Sequence, residues 1–210
     1  ISSQSPEVSF FQWNVQVLWA VKSYLETFPE KRTAFIDAVK KGWIGLDALY
    51  ANLLTGLCRP EELYESLRFS NKLERETGIH IEDAMISDVP GYTWGLMQAF
   101  ADNGIKYFSV GTNASDRMGN TLPQWGDKPF YWKTPSGKDK ILVWFAGKGY
   151  SFFHHYSLEK DNLTPVIDYL EKLHIDNYPY NMVQMRYTIG DNKGPDSLLP
   201  DFVKQWNETH

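Results

Sequence analysis

Short apolar runs alternate with amphipathic segments along this chain of 210 residues, and that order restricts its fold more than any other feature. Positions 8–13, 43–46, 84–86, 105–110 and 181–189 read as strands. Between them lie segments with helical periodicity. Asn14 can cap a helix carrying Val17, Leu18, Val21, Tyr24, Leu25 and Phe28, which Pro29 ends. A second helix over 30–41 places Phe35, Ile36 and Val39 on one side and stops at Gly42. Pro60 opens a third to position 77, with Glu61 and Glu62 in the first turn where negative charge suits the helix dipole. Further helices are predicted over 92–102, 158–173 and 197–206. Thr134-Pro135-Ser136-Gly137-Lys138, between 130–132 and 140–145, is a hairpin signal. Strand-then-helix order of this kind implies an α/β fold: a mainly parallel sheet with helices packed outside it.

In such folds ligands sit at the carboxyl ends of the strands. Asp88, between the run Ala84-Met85-Ile86 and the turn Val89-Pro90-Gly91, falls at such an end. By position it fits two readings, a functional carboxylate or a cap of the Pro-Gly turn. Positions 111–129 are rich in Gly, Asn, Asp, Pro and Ser, and loops of that length inside a domain tend to be functional. With 42% hydrophobic and 22% charged residues the chain can bury a core as one domain or a large piece of one. A net charge of −5 without a basic run argues against a nucleic-acid surface. The single Cys58 excludes an internal disulfide and leaves the compartment open. No apolar run approaches the ~20 residues of a membrane span, and no signal segment opens the chain. The chain reads as soluble. Eight Trp and twelve Tyr suit either sugar platforms or an aromatic core.

Four stretches together carry a resemblance: 42–56, Ser87-Asp88-Val89-Pro90-Gly91, Gly104-Ile105-Lys106-Tyr107-Phe108, and Tyr187-Thr188-Ile189-Gly190-Asp191-Asn192. In this order they resemble the N-terminal catalytic domain of glycoside hydrolase family 38, the retaining, zinc-dependent α-mannosidases. The resemblance implies part of a distorted seven-stranded (β/α) barrel of the glycoside hydrolase/deacetylase type, with residues 1–210 as one partial catalytic domain. It implies an α-mannoside or related carbohydrate as partner. It makes Asp88 both nucleophile and zinc ligand, a pairing that chemistry supports, because a metal beside a carboxylate keeps it ionised. A retaining glycosidase also needs a proton donor for the leaving oxygen.

The departures are as informative as the matches. Ser87-Asp88-Val89-Pro90-Gly91 stands where the family usually has Asp-Pro-Phe-Gly, and the family's Gly-Asp-Asp acid turn is here Gly190-Asp191-Asn192. Since Asn192 cannot give up a proton, either Asp191 is the acid/base, or the acid comes from elsewhere, or the protein does not hydrolyse glycosides. Asn192 then remains as a substrate contact. The family's His-X-Asp metal pair has no counterpart among His80, His154, His155, His174 and His210. The expectation is therefore a fragment, with the first strand, the C-terminal domains and the other zinc ligands outside it, inactive alone. Gly111-Thr112-Asn113 falls where the family often has an Arg, for which Arg117 is a substitute. Trp144 and Tyr150 are candidates for sugar stacking, with core as the other reading for Trp144; His154 or His155 is a candidate contact to sugar or metal. Asp47 and Asn52 fit either the cleft or local caps. Two other readings stay open: a metal-dependent polysaccharide deacetylase, whose His-X-X-X-His pair this chain lacks, and a non-catalytic carbohydrate-binding protein of the same fold.

Overall fold

The computed structural model describes residues 13–113, 124–125, 127–146, 149–150, 164–187, 189–190, 193–194 and 196–209. They fall in two compact units, one over 13–150 and one containing 151–210. The expected alternation is present in the first. Strand β1 (Trp13–Val15) leads to α1 (Leu18–Thr27), α2 (Arg32–Lys40) and β2 (Ile44–Leu46), and β1 and β2 pair in parallel. Next come α3 (Pro60–Glu65), α4 (Arg68–Thr77), β3 (Asp83–Ser87), α5 (Trp94–Asp102), β4 (Tyr107–Gly111), β5 (Pro129–Lys133) and β6 (Lys140–Phe145). The last four strands form a sheet in the order β3-β4-β6-β5, parallel except for the β5–β6 hairpin. The Ala48 N–H donates to the Asp83 carbonyl at 2.8 Å, tying the segment after β2 to the start of β3. Sheets of two and four strands are what the described residues contain; a seven-stranded barrel is not among them.

Period-two patterning decides which sheet face the helices cover. Ala84, Ile86, Phe108, Val110, Ile141, Val143 and Phe145 alternate along β3, β4 and β6 and are all buried. Against them packs α5, with Leu96, Met97, Ala99 and Phe100 buried. Edge-to-face contacts link the Phe108 ring to Phe100 at 5.1 Å and to Tyr92 at 5.7 Å. The opposite face carries Met85, Ser109 and Trp144 side by side in register, with Ser87 and Gly111 above them. On this face Met85, Ser87, Ser109 and Trp144 are half-buried and Gly111 is buried.

Local chemistry moves several expected boundaries. Asn14 is a strand residue of β1, and Val17 occupies the start of α1, because parallel pairing of Asn14 with Gly45 takes the backbone Asn14 needs for a cap. The helix expected from Pro60 to position 77 is two helices. The Ser66 hydroxyl donates to the Leu63 carbonyl at 2.6 Å, offering the backbone a competing partner at the break. Gly78, at φ 68, terminates α4. From α3, the Tyr64 hydroxyl donates to the Asp102 carboxylate of α5 at 2.5 Å, which holds the phenol above its usual range and the carboxyl below its own.

In the second unit α6 (Thr164–Ile175) and α7 (Leu199–Thr209) overlap the helices expected over 158–173 and 197–206, of which 158–163 lie outside the described residues. The strand expected over 181–189 is not one in its described residues, 181–187 and 189. Val183 and Tyr187 instead pack around Val166 and Tyr169 with Phe202 and Trp206 of α7. Apolar periodicity there records burial against helices, which an isolated chain segment does not distinguish from sheet pairing.

Candidate functional site

The parallel strands β3, β4 and β6 end at a common rim, and the register says which residues meet there. Ser87 pairs with Gly111 and Val110 with Phe145, so Asp88, Thr112, Asn113 and Ala146 follow at one edge of the sheet. Asp88 has φ 57, the left-handed region that few non-Gly residues adopt outside a constrained setting. Two bonds hold it, one from the last residue of β4 and one from Asn113 just beyond it. The Asp88 N–H donates to the Gly111 carbonyl at 2.9 Å, extending the β3–β4 ladder one residue past the strand, and the Asn113 side-chain amide donates to Asp88 Oδ1. Among the described residues no hydrogen bond or ion pair reaches Oδ2. Asp88 as a residue is exposed.

Thr112 anchors the neighbouring strand end. The residue is fully buried, and its carbonyl accepts the Tyr150 N–H at 3.0 Å. Gly149, at φ 76, makes this close approach possible: a Cβ there would stand 2.9 Å from the Thr112 carbonyl oxygen. Gly149→Ala is expected to lower stability by about 1–3 kcal/mol, through left-handed backbone strain and that contact. Thermal melts of the two proteins check it, and equal melting temperatures would mean that the loop yields without cost.

Of the other expected site residues, Tyr150 is half-buried at this rim. Trp144 lies one strand residue below it, on the less covered sheet face between Ser109 and Pro129. Its indole N–H is buried and has no hydrogen-bond partner among the described residues, so it offers a donor as well as a ring. Asp47 is buried just after β2, its N–H donating to the Val15 carbonyl at 3.1 Å. Asn52 accepts a bond from the Gln16 side chain at 2.7 Å. Arg117, His154, His155, Asp191 and Asn192 lie outside the described residues. Sequence reasoning passed over Asn113 and Gly149 as active parts of the site. The signals were the Gly111-Thr112-Asn113 run directly after an apolar strand and the isolated Gly149 before Tyr150.

No group of three or more His, Cys, Asp or Glu side chains that could hold a metal ion occurs among the described residues. Among the described residues Asp88 has no companion ligands, so the zinc set that the resemblance implies is not found there. A separate open groove of about 460 Å³, lined by Pro60, Tyr64, Arg68 and Arg75 among others, lies along α3 and α4. It is made of helix side chains, whereas the unpartnered carboxylate oxygen and the strand ends that define a site in this fold class belong to the rim. No helix of the described residues is long and apolar enough to cross a membrane.

No protein-family model matches this chain, and no curated protein does. Solved structures do. An alpha-mannosidase from Enterococcus faecalis V583 is similar over 97% of this chain with a TM-score of 0.73 and 16% identity. A glycosyl hydrolase family 38 protein from Enterococcus faecalis is similar over 96%, with a TM-score of 0.60 and 14% identity. A 4-alpha-glucanotransferase from Thermococcus litoralis is similar over 80%, with a TM-score of 0.55 and 18% identity. The chain spans 23%, 23% and 25% of the lengths of these three structures. Identities this low carry the fold. The expected resemblance in fold to family 38 structures is thus present along nearly the whole chain.

Proposed function

We propose that this chain is part of the catalytic domain of a retaining glycoside hydrolase acting on α-mannosides, with Asp88 as the nucleophile. One observation carries the reading. At a strand's carboxyl end, Asp88 is held in a left-handed backbone with one carboxylate oxygen engaged and the other without a partner among the described residues. In the first step Oδ2 forms a bond to the anomeric carbon while the glycosidic C–O bond breaks, its electron pair going to the leaving oxygen. That oxygen takes a proton from the general acid, a role this reading gives to Asp191. In the second step Asp191 accepts a proton from water, which attacks the anomeric carbon and frees Asp88. Trp144, Tyr150, His154, Arg117 and Asn192 are assigned to substrate contacts. A zinc ion belongs to the same proposal, with Asp88 as one ligand and the others outside this chain.

The test uses the longest natural form of the protein. It should release p-nitrophenol from the α-mannoside, yield the α-anomer of mannose first by NMR, and contain one zinc by elemental analysis. First release of the β-anomer would exclude Asp88 as a covalent nucleophile. Binding of mannose oligosaccharides without cleavage of any aryl glycoside would replace the hydrolase with a non-catalytic carbohydrate-binding protein.

A further inference from the structure

We infer that Asn113 is the positioning residue of Asp88, selecting which carboxylate oxygen is free to react; this rests on the reading of Asp88 as nucleophile. The tripeptide Gly111-Thr112-Asn113 acts as a clamp on both neighbouring strand ends. Gly111 holds the Asp88 backbone, Thr112 holds the Tyr150 backbone, and the Asn113 amide holds the Asp88 side chain. Thr112 is fully buried and Asn113 half-buried, so the amide is delivered from a fixed point. A carboxylate on an exposed turn otherwise rotates among staggered rotamers and presents either oxygen.

The chemistry of the amide suits this role. A neutral N–H donor engages Oδ1 without neutralising the carboxylate, so Oδ2 keeps its nucleophilic charge. An Arg at the same position would tend to grip both oxygens in a forked pair. The clamp also accounts for a non-glycine residue at φ 57. Asp is among the few side chains tolerated there, and the two bonds from Gly111 and Asn113 offset the residual strain. An Asn113→Asp change keeps the shape, removes the donor and sets two carboxylates against each other.

The experiment compares the full-length wild-type protein with Asn113→Ala, Asn113→Asp and Asn113→Gln. Each is treated with a fluorinated mannosyl fluoride that traps the covalent intermediate, and the labelled peptide is identified by mass spectrometry. Label is expected on Asp88. Asn113→Ala and Asn113→Asp should trap about 10- to 100-fold more slowly, the range seen when a supporting hydrogen bond is lost. Asn113→Gln should recover part of the rate. KM and the melting temperature should hold within about twofold and a few degrees, since a positioning bond acts on the reacting oxygen and not on the fold. Wild-type labelling with an equal rate in Asn113→Ala overturns the inference and leaves the nucleophile standing. A crystal structure of Asn113→Ala separates the two claims without activity. An Asp88 carboxylate rotated from its wild-type orientation supports the clamp, and an unmoved one overturns it even if the protein cleaves no glycoside.

Discussion

Asp88→Asn is expected to reduce turnover of an aryl α-mannoside by at least about a thousandfold, which corresponds to about 4 kcal/mol of lost transition-state stabilisation. The substitution suits the backbone. Asn, like Asp, is enriched in the left-handed region that Asp88 occupies at φ 57, whereas Ala there would add strain and confuse a chemical effect with a structural one. The Asp88 N–H bond to Gly111 is a main-chain contact and survives the change. What disappears is the anionic oxygen to which the proposed function gives the attack on the anomeric carbon. The side chain is exposed and away from the buried core, so the melting temperature should stay within a few degrees. Retention of more than a tenth of the wild-type rate would end the assignment of Asp88 as nucleophile.

Phe108→Ala is expected to cost about 3–5 kcal/mol of stability, a large share of the 5–15 kcal/mol typical of a folded domain. Phe108 is 1% exposed, and its ring makes edge-to-face contacts with Phe100 of α5 and with Tyr92. Truncation removes a buried aromatic, two edge-to-face contacts and the filler between sheet and helix, and a parallel sheet interior relaxes poorly around such a hole. The same strand delivers Gly111, Thr112 and Asn113 to the rim. Catalysis should therefore fall at temperatures where the wild-type protein is still fully folded. Urea unfolding monitored by fluorescence measures the change in midpoint; a loss below about 1.5 kcal/mol would mean that α5 collapses onto the sheet and refills the site.

Much of the architecture was legible in the sequence. Short β-rich runs bounded by Pro, Gly and Asn marked β2, β3, β4 and the β5–β6 hairpin, because side-chain period and turn chemistry are local properties. The place of Asp88 at a strand's carboxyl end followed from the same signals. The failures share a cause. Asn14 looked like a cap, 181–189 like a strand and 60–77 like one helix, and each outcome depended on a partner remote in sequence or on a competing hydroxyl. Local propensity carries no information about which of two compatible structures finds a partner.

The sequence by itself determined the α/β class, most of the elements over 13–150 and the place of Asp88 at a strand's carboxyl end. Only the tertiary structure decided that Gly111 and Asn113 hold Asp88 at backbone and side chain, that Gly149 lets Tyr150 reach the Thr112 carbonyl, and that one oxygen of Asp88 is left without a described partner. Strand register is the physical reason. Residues 25 positions apart meet because Ser87 pairs with Gly111, and a slip of one residue would turn Asn113 away from Asp88.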